Sequence, residues 1–177
     1  MYLDDALLYN QGYMISINDL DSPLFYLFDY DSRSFKINMS FQHFHQFHEI
    51  HILLSGRASH IIEGDYYTLQ PYDIVLLRPS MMHKTEYPSG GDCRRLIINF
   101  RVPDDSPVLH EMLQSCLQPF GAEVPIYRFT GETRAQAFSH LNAIFTLGKQ
   151  PMTPLTQQFI HCHFLQFLAT VAQHAGE

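Results

Sequence analysis

The spacing of hydrophobic positions changes once along the chain. From about Tyr13 to Val102, short runs rich in Phe, Tyr, Ile, Val and Leu are cut by turn residues. The runs are Leu24–Phe28, Phe35–Phe41, Glu49–Leu54, Ala58–Ile62, Asp65–Leu69, Ile74–Leu77 and Arg95–Phe100. Between them lie Asp31-Ser32, Ser55-Gly56, Glu63-Gly64, Pro71-Tyr72-Asp73, Arg78-Pro79-Ser80 and Pro88–Asp92. Many short strands at this spacing predict an all-β sandwich or barrel. Glu63-Gly64 predicts a tight hairpin turn.

From Asp104 onward the period becomes helical. Ser106-Pro107 starts one helix, which carries Leu109, Met112, Leu113 and Leu117. Ile126–Phe129 reads as a short extended piece. Thr130 caps a second helix carrying Phe138, Leu141, Ile144 and Phe145, and Thr153-Pro154 opens a third that runs to about Gln173. That last helix has two apolar stripes: Leu155, Phe159, His163, Phe167 and Val171, then Ile160, Phe164 and Leu168. A β-barrel beside it covers one stripe, and the other predicts a two-fold contact between copies, a homodimer through the C-terminal helices. The chain therefore divides into a β region, 1–103, and a helical region, 104–177.

With 177 residues the chain fits one domain with a small appendage, large enough to fold without staples. Its formal charge of −7 excludes a protein that grips nucleic acid by its own electrostatics. No apolar run approaches a membrane span, and no basic amphipathic segment would hold it to a bilayer. Met1–Leu8 carries two Asp and no Lys or Arg, unlike a signal peptide. The three cysteines are far apart, without a CxxC pair, and read as thiols in a reducing compartment. A cytoplasmic protein is expected.

Candidate chemistry concentrates in histidine. Five of the eleven histidines fall between residues 43 and 60. His43 and His45 are two apart and share a strand face; Glu49 has the same parity if the strand is unbroken. Two imidazoles and a carboxylate, joined by a third imidazole from a neighbouring strand, make a first shell suited to Zn, Ni, Fe or Mn rather than Ca or Mg. Taken alone, an HxH pair is more often a solvated or packed strand feature. Elsewhere, no GxSxG elbow or phosphate-binding glycine loop occurs. Arg94-Arg95 reads as an exposed pair at a strand start, Cys93 as an unreactive loop thiol, and His161 and His163 as surface or interface residues.

The pattern His43-x-His45-x3-Glu49-x6-Gly56 resembles the first cupin motif, and Gly64 to Pro71, Asp73 and Pro79 to His83 resemble the second. The stretch from about Phe41 to Phe100 resembles the sugar-binding and dimerisation domain of AraC-type bacterial transcription regulators. Leu53-Leu-Ser-Gly56, Leu69-Gln-Pro-Tyr-Asp73-Ile-Val-Leu-Leu-Arg-Pro79-Ser-Met-Met-His83 and Arg95-Leu-Ile-Ile-Asn-Phe100 carry that likeness, and a helical tail fits it. Ile37 and Tyr72 stand where the motifs usually have Gly, His48 where these regulators often have an aromatic residue, and no Asn follows His83 at the enzyme-like spacing.

The resemblance implies a cupin-type antiparallel β-barrel, jelly-roll-like, followed by a helical dimerisation segment. It implies a small-molecule effector, a sugar among the candidates, bound in the cup. His43, His45, Glu49 and His83 are the implied metal quartet, and Met39, Phe41, His51 and Leu53 would line the cup on the parity of His43. DNA would be bound only through a further, basic helical domain absent from this sequence. The rival expectation is a small stand-alone metal-dependent cupin enzyme, a dioxygenase or isomerase. No acid or base beyond His51 offers itself for that role, so a non-enzymatic binding module is the leading expectation.

Overall fold

The computed structural model of the chain describes residues 13–33 and 38–176. Met1–Leu8, Ile37 and the beginning of the expected strand Phe35–Phe41 lie outside these residues. Nine strands precede or adjoin the helices among the described residues: β1 (Tyr13–Ile17), β2 (Phe25–Arg33), β3 (His48–Ser55), β4 (Ala58–Ile62), β5 (Asp65–Leu69), β6 (Ile74–Leu77), β7 (His83–Glu86), β8 (Cys93–Arg101) and β9 (Ile126–Tyr127). They form a six-stranded sheet in the order β1-β2-β8-β3-β6-β9 and a three-stranded sheet in the order β5-β4-β7. Every pairing is antiparallel. The fold is mainly antiparallel β with C-terminal helices. Among the described residues the expected barrel takes the form of two separate sheets and not a closed ring.

Alternation places the core. Leu53, Val75 and Leu77 of the large sheet join Ala58, Ile62 and Leu69 of the small one in a single buried cluster with Met81, Tyr87 and Cys93. Full burial of a Leu, Ile or Val side chain contributes roughly 1.5–3 kcal/mol. Glu63-Gly64 joins β4 to β5 with both residues at positive φ, 50° and 94°, the signature of a two-residue type I′ turn. Beyond β8 the chain returns to pair β9 with β6. There the Asp73 carboxylate, 1% exposed, accepts from Gln70 N at 2.7 Å and from Arg128 Nη2 at 2.8 Å. Tyr72, at the usual glycine position, adopts φ 74° and donates its N–H to Leu53 O at 2.6 Å.

The chain divides into two compact units. One is the β region up to Arg101 together with Val124–Arg128; the other is Val102–Glu123 with the residues from Phe129 onward. The helices of the second unit are α1 (Pro107–Leu117), α2 (Gly131–Gly148) and α3 (Pro154–His174). Ser106 and Thr153 cap α1 and α3 through their side chains, each with Pro in the first turn. Helices α2 and α3 pack together, burying Phe138, Leu141, Ile144 and Phe145 of one and Ile160, Phe164, Phe167, Leu168 and Val171 of the other. The long apolar stripe of α3 is therefore split: Phe167 and Val171 are buried, while Leu155 and Phe159 stay exposed.

Two glycines separate conformational strain from crowding. A Cβ on Gly64 would meet nothing within 4 Å, so Gly64→Ala should cost only the left-handed backbone term, about 1 kcal/mol by urea denaturation. Gly56 has φ 84°, and a Cβ there would lie 3.0 Å from Cys93 Sγ and 3.1 Å from Asp92 O. Gly56→Ala should cost clearly more than Gly64→Ala in the same measurement.

Candidate functional site

The site is built on a short antiparallel bridge. His43 N–H donates to His83 O and His83 N–H to His43 O, each at 2.9 Å. Residues paired this way project their side chains from one face, and the two rings stand 4.4 Å apart. Ser80 N–H donates to His45 O at 2.8 Å, which keeps the segment alongside for two more residues. His45 thus enters the same face, its ring 6.1 Å from His43 and 5.0 Å from His83. One ring nitrogen from each of the three lies within 4.8 Å of the others. Glu49 comes from β3, with Oε2 2.9 Å from His45 Nε2 and Oε1 3.9 Å from His83 Nε2.

Backbone carbonyls orient two of the rings. His45 Nδ1 lies 3.0 Å from Phe47 O, with the ring stacked on Phe47 at 4.1 Å. His83 Nδ1 lies 2.8 Å from Met81 O. A carbonyl only accepts, so each Nδ1 carries the proton and each Nε2 turns toward the cluster. His45 Nε2 then faces a carboxylate oxygen, two acceptors that a shared proton or a bound cation would reconcile. His83 Nε2 and His43 Nδ1 are buried and make no hydrogen bond. Orphaned, convergent imidazole nitrogens beside a carboxylate fit a divalent transition ion.

Burial and neighbouring groups shift Glu49 and His83 in ways that suit electron-pair donation. Burial raises the Glu49 pKa, but the His45 hydrogen bond and the neighbouring His83, His45 and His51 rings outweigh it, and the net shift is downward. Burial lowers the His83 pKa, partly opposed by Glu49. Burial also lowers His51 to about 4 and His60 well below the ordinary imidazole value.

His51 and Leu53 follow Glu49 on the inward face of β3, and both are fully buried. His51 meets His60 of β4 edge-on at 5.1 Å, and His60 lies 6.0 Å from His83. Met39 and Phe41 do not join them: they are 40% and 62% exposed, because the segment is regular only at the bridge around His43, and parity does not carry beyond it. His60 was not among the residues expected from sequence, although its alternation with Ala58 and Ile62 points it inward. Arg95 departs from the expected exposed pair. It is 3% exposed and donates to Asp29 O at 2.8 Å and Asp29 Oδ2 at 3.1 Å. His48 points to the opposite face and stacks on Phe100 at 5.2 Å. Cys93 is buried, and burial raises its pKa, which holds it toward the thiol form.

The sequence profile of the AraC-like ligand binding domain family matches residues 36–144, more than half of the chain. A search of curated proteins finds no match. Among solved structures the chain is similar to apo ToxT from Vibrio cholerae: 14% identity, TM-score 0.55, covering 85% of this chain and 57% of that one. It is also similar to a cupin protein from Bacteroides fragilis: 21% identity, TM-score 0.44, covering 55% and 83%. At 14% identity the likeness to ToxT bears on the fold alone.

Buried neutral histidines set an acid limit on the metal-free chain. His48 and His51 have folded pKa values lowered to about 4 from 6.5. The unfolded chain binds those protons first, so stability is intact above about 6.5 and falls as pH drops toward about 4. The slope is at most about 1.4 kcal/mol per pH unit per histidine. Urea midpoints measured across that window should fall with pH, and His48→Phe should reduce the slope.

Proposed function

This chain belongs to the AraC-like ligand binding domain family, and we propose that it is the effector-sensing and dimerising part of an AraC-type bacterial transcription regulator. The family match across residues 36–144 carries this reading. The interior beside the quartet supports it: His51 has two buried ring nitrogens without partners, and His60 has one. Leaving such groups unmet costs roughly 1–3 kcal/mol each, and a bound effector would offset that cost. A small molecule, a sugar among the candidates, is the proposed effector. DNA contact is assigned to a separate basic domain of the parent protein, acting in the cytoplasm, since this chain is acidic. No described helix is long and apolar enough to cross a membrane.

His43, His45, Glu49 and His83 are the proposed ligands of a divalent ion, with Zn, Ni, Fe and Mn as candidates. Such an ion would supply a Lewis-acidic contact for an effector oxygen. The Phe47 and Met81 carbonyls and the Phe47 ring hold two of the donors in place. In this reading the cup binds without catalysing; turnover of a sugar or phenolic substrate by the metal-loaded chain would favour the dioxygenase or isomerase alternative instead.

The proposed homodimer forms through the exposed part of the helical unit, where Leu155 and Phe159 of α3 stand 63% and 49% exposed.

Metal analysis after dialysis should find the ion in the wild-type chain, and His45→Ala should lose it, because its ring also holds Glu49. Zinc should raise the melting temperature of the wild type, and acid should release it as the imidazoles protonate. Light scattering should show Phe159→Glu shifted from dimer toward monomer with its circular dichroism unchanged. Phe167→Glu should instead unfold the helical unit, since that side chain is fully buried.

A further inference from the structure

A second group of potential ligands belongs to the helical unit, whereas the quartet belongs to the β unit. Helices α2 and α3 are joined by the five residues Lys149–Thr153 and pack against each other, so they form an αα-hairpin. His140 lies eight residues before the last residue of α2, and His163 nine residues after the first of α3. The two therefore stand at one level across the hairpin. Their Nδ1 atoms are 3.5 Å apart, with ring centroids 5.8 Å apart and planes at 43°. Both rings are half-buried, with access to solvent.

That separation is long for a hydrogen bond, whose N–H···acceptor distance is about 2.7–3.2 Å. It is close to a metal bite. Two imidazole nitrogens at about 2.0–2.1 Å from one tetrahedral ion lie about 3.3–3.4 Å apart. Burial and the His163 ring also lower the proton affinity of His140, which favours an uncharged, ligating ring.

We propose that His140 and His163 form a divalent transition-metal site, a two-imidazole clamp for zinc, nickel or copper that ties α2 to α3. Because both rings are half-buried, water would complete the coordination of such an ion. His163 continues the exposed Leu155–Phe159 line at i+4, so the clamp borders the apolar patch of α3. The site is independent of the quartet, which lies in the other unit.

The test uses zinc alone and the complete chain. In a His45→Ala/His83→Ala background, zinc titration followed by calorimetry should still show binding, and zinc should slow amide exchange in α2 and α3 without affecting the strands. Adding His163→Ala, or separately His140→Ala, should abolish both responses. If the background variant fails to fold, His163→Ala in the otherwise unaltered chain should lower zinc stoichiometry by one ion and remove the helix protection. Unchanged stoichiometry and exchange after either helix substitution would overturn the proposal. So would a folded background variant that shows no response to millimolar zinc.

Discussion

The candidate site depends on one reciprocal pair of backbone hydrogen bonds, between His43 and His83. The two residues are forty positions apart: His83 is held on its other side by β4, where it pairs with Ile62, while the His43 segment meets it at this isolated bridge. The two bonds fix register, and register fixes which face each side chain takes. His45 and Glu49 then meet the pair because two residues of extended chain preserve the face, and because β3 begins immediately after the segment. A one-residue slip at this bridge would turn the imidazoles to the other side and leave the buried Glu49 carboxylate without the His45 ring beside it.

Burial around that bridge has opposite effects on its members. It raises the Glu49 pKa and lowers that of His83, so each group alone would tend toward its neutral form. The neighbouring rings reverse the balance for Glu49, and the carboxylate stays charged. The same burial leaves the inner pair, His51 and His60, neutral and short of partners, a polar interior that an apolar core would not need. Charge is handled locally elsewhere: Arg95 is neutralised by Asp29 and Asp73 by Arg128, so neither leaves an isolated buried ion.

The helical unit follows ordinary packing logic until its surface is considered. α2 and α3 bury wide apolar faces against each other, and the caps at Ser106 and Thr153 set where α1 and α3 begin. Leu155 and Phe159 stay in water, next to two imidazoles at metal-ligand separation. A helix that has already satisfied its core keeps such groups at a cost in solubility and desolvation, which is why they are read as contacts in waiting.

Much of this was legible from residue order, because it depends on local chemistry. Alternation gave the strands Ala58–Ile62, Asp65–Leu69 and Ile74–Leu77 at their observed bounds. Glu63-Gly64 is a turn because glycine accepts positive φ, and Ser106-Pro107 and Thr153-Pro154 start helices because their hydroxyls cap free N–H groups. The HxH spacing with Glu49 and His83 picked out the four side chains that the fold brings together. What local chemistry does not encode is enclosure. Met39 and Phe41 share parity with His43 yet stand in solvent, Arg95 is buried on Asp29, and His60 reaches the interior from another sheet. Phe167 turns inward while Phe159, on the same stripe, does not. Each of these outcomes is decided by what lies across from the residue, and that depends on strand pairing and helix packing between positions distant in sequence.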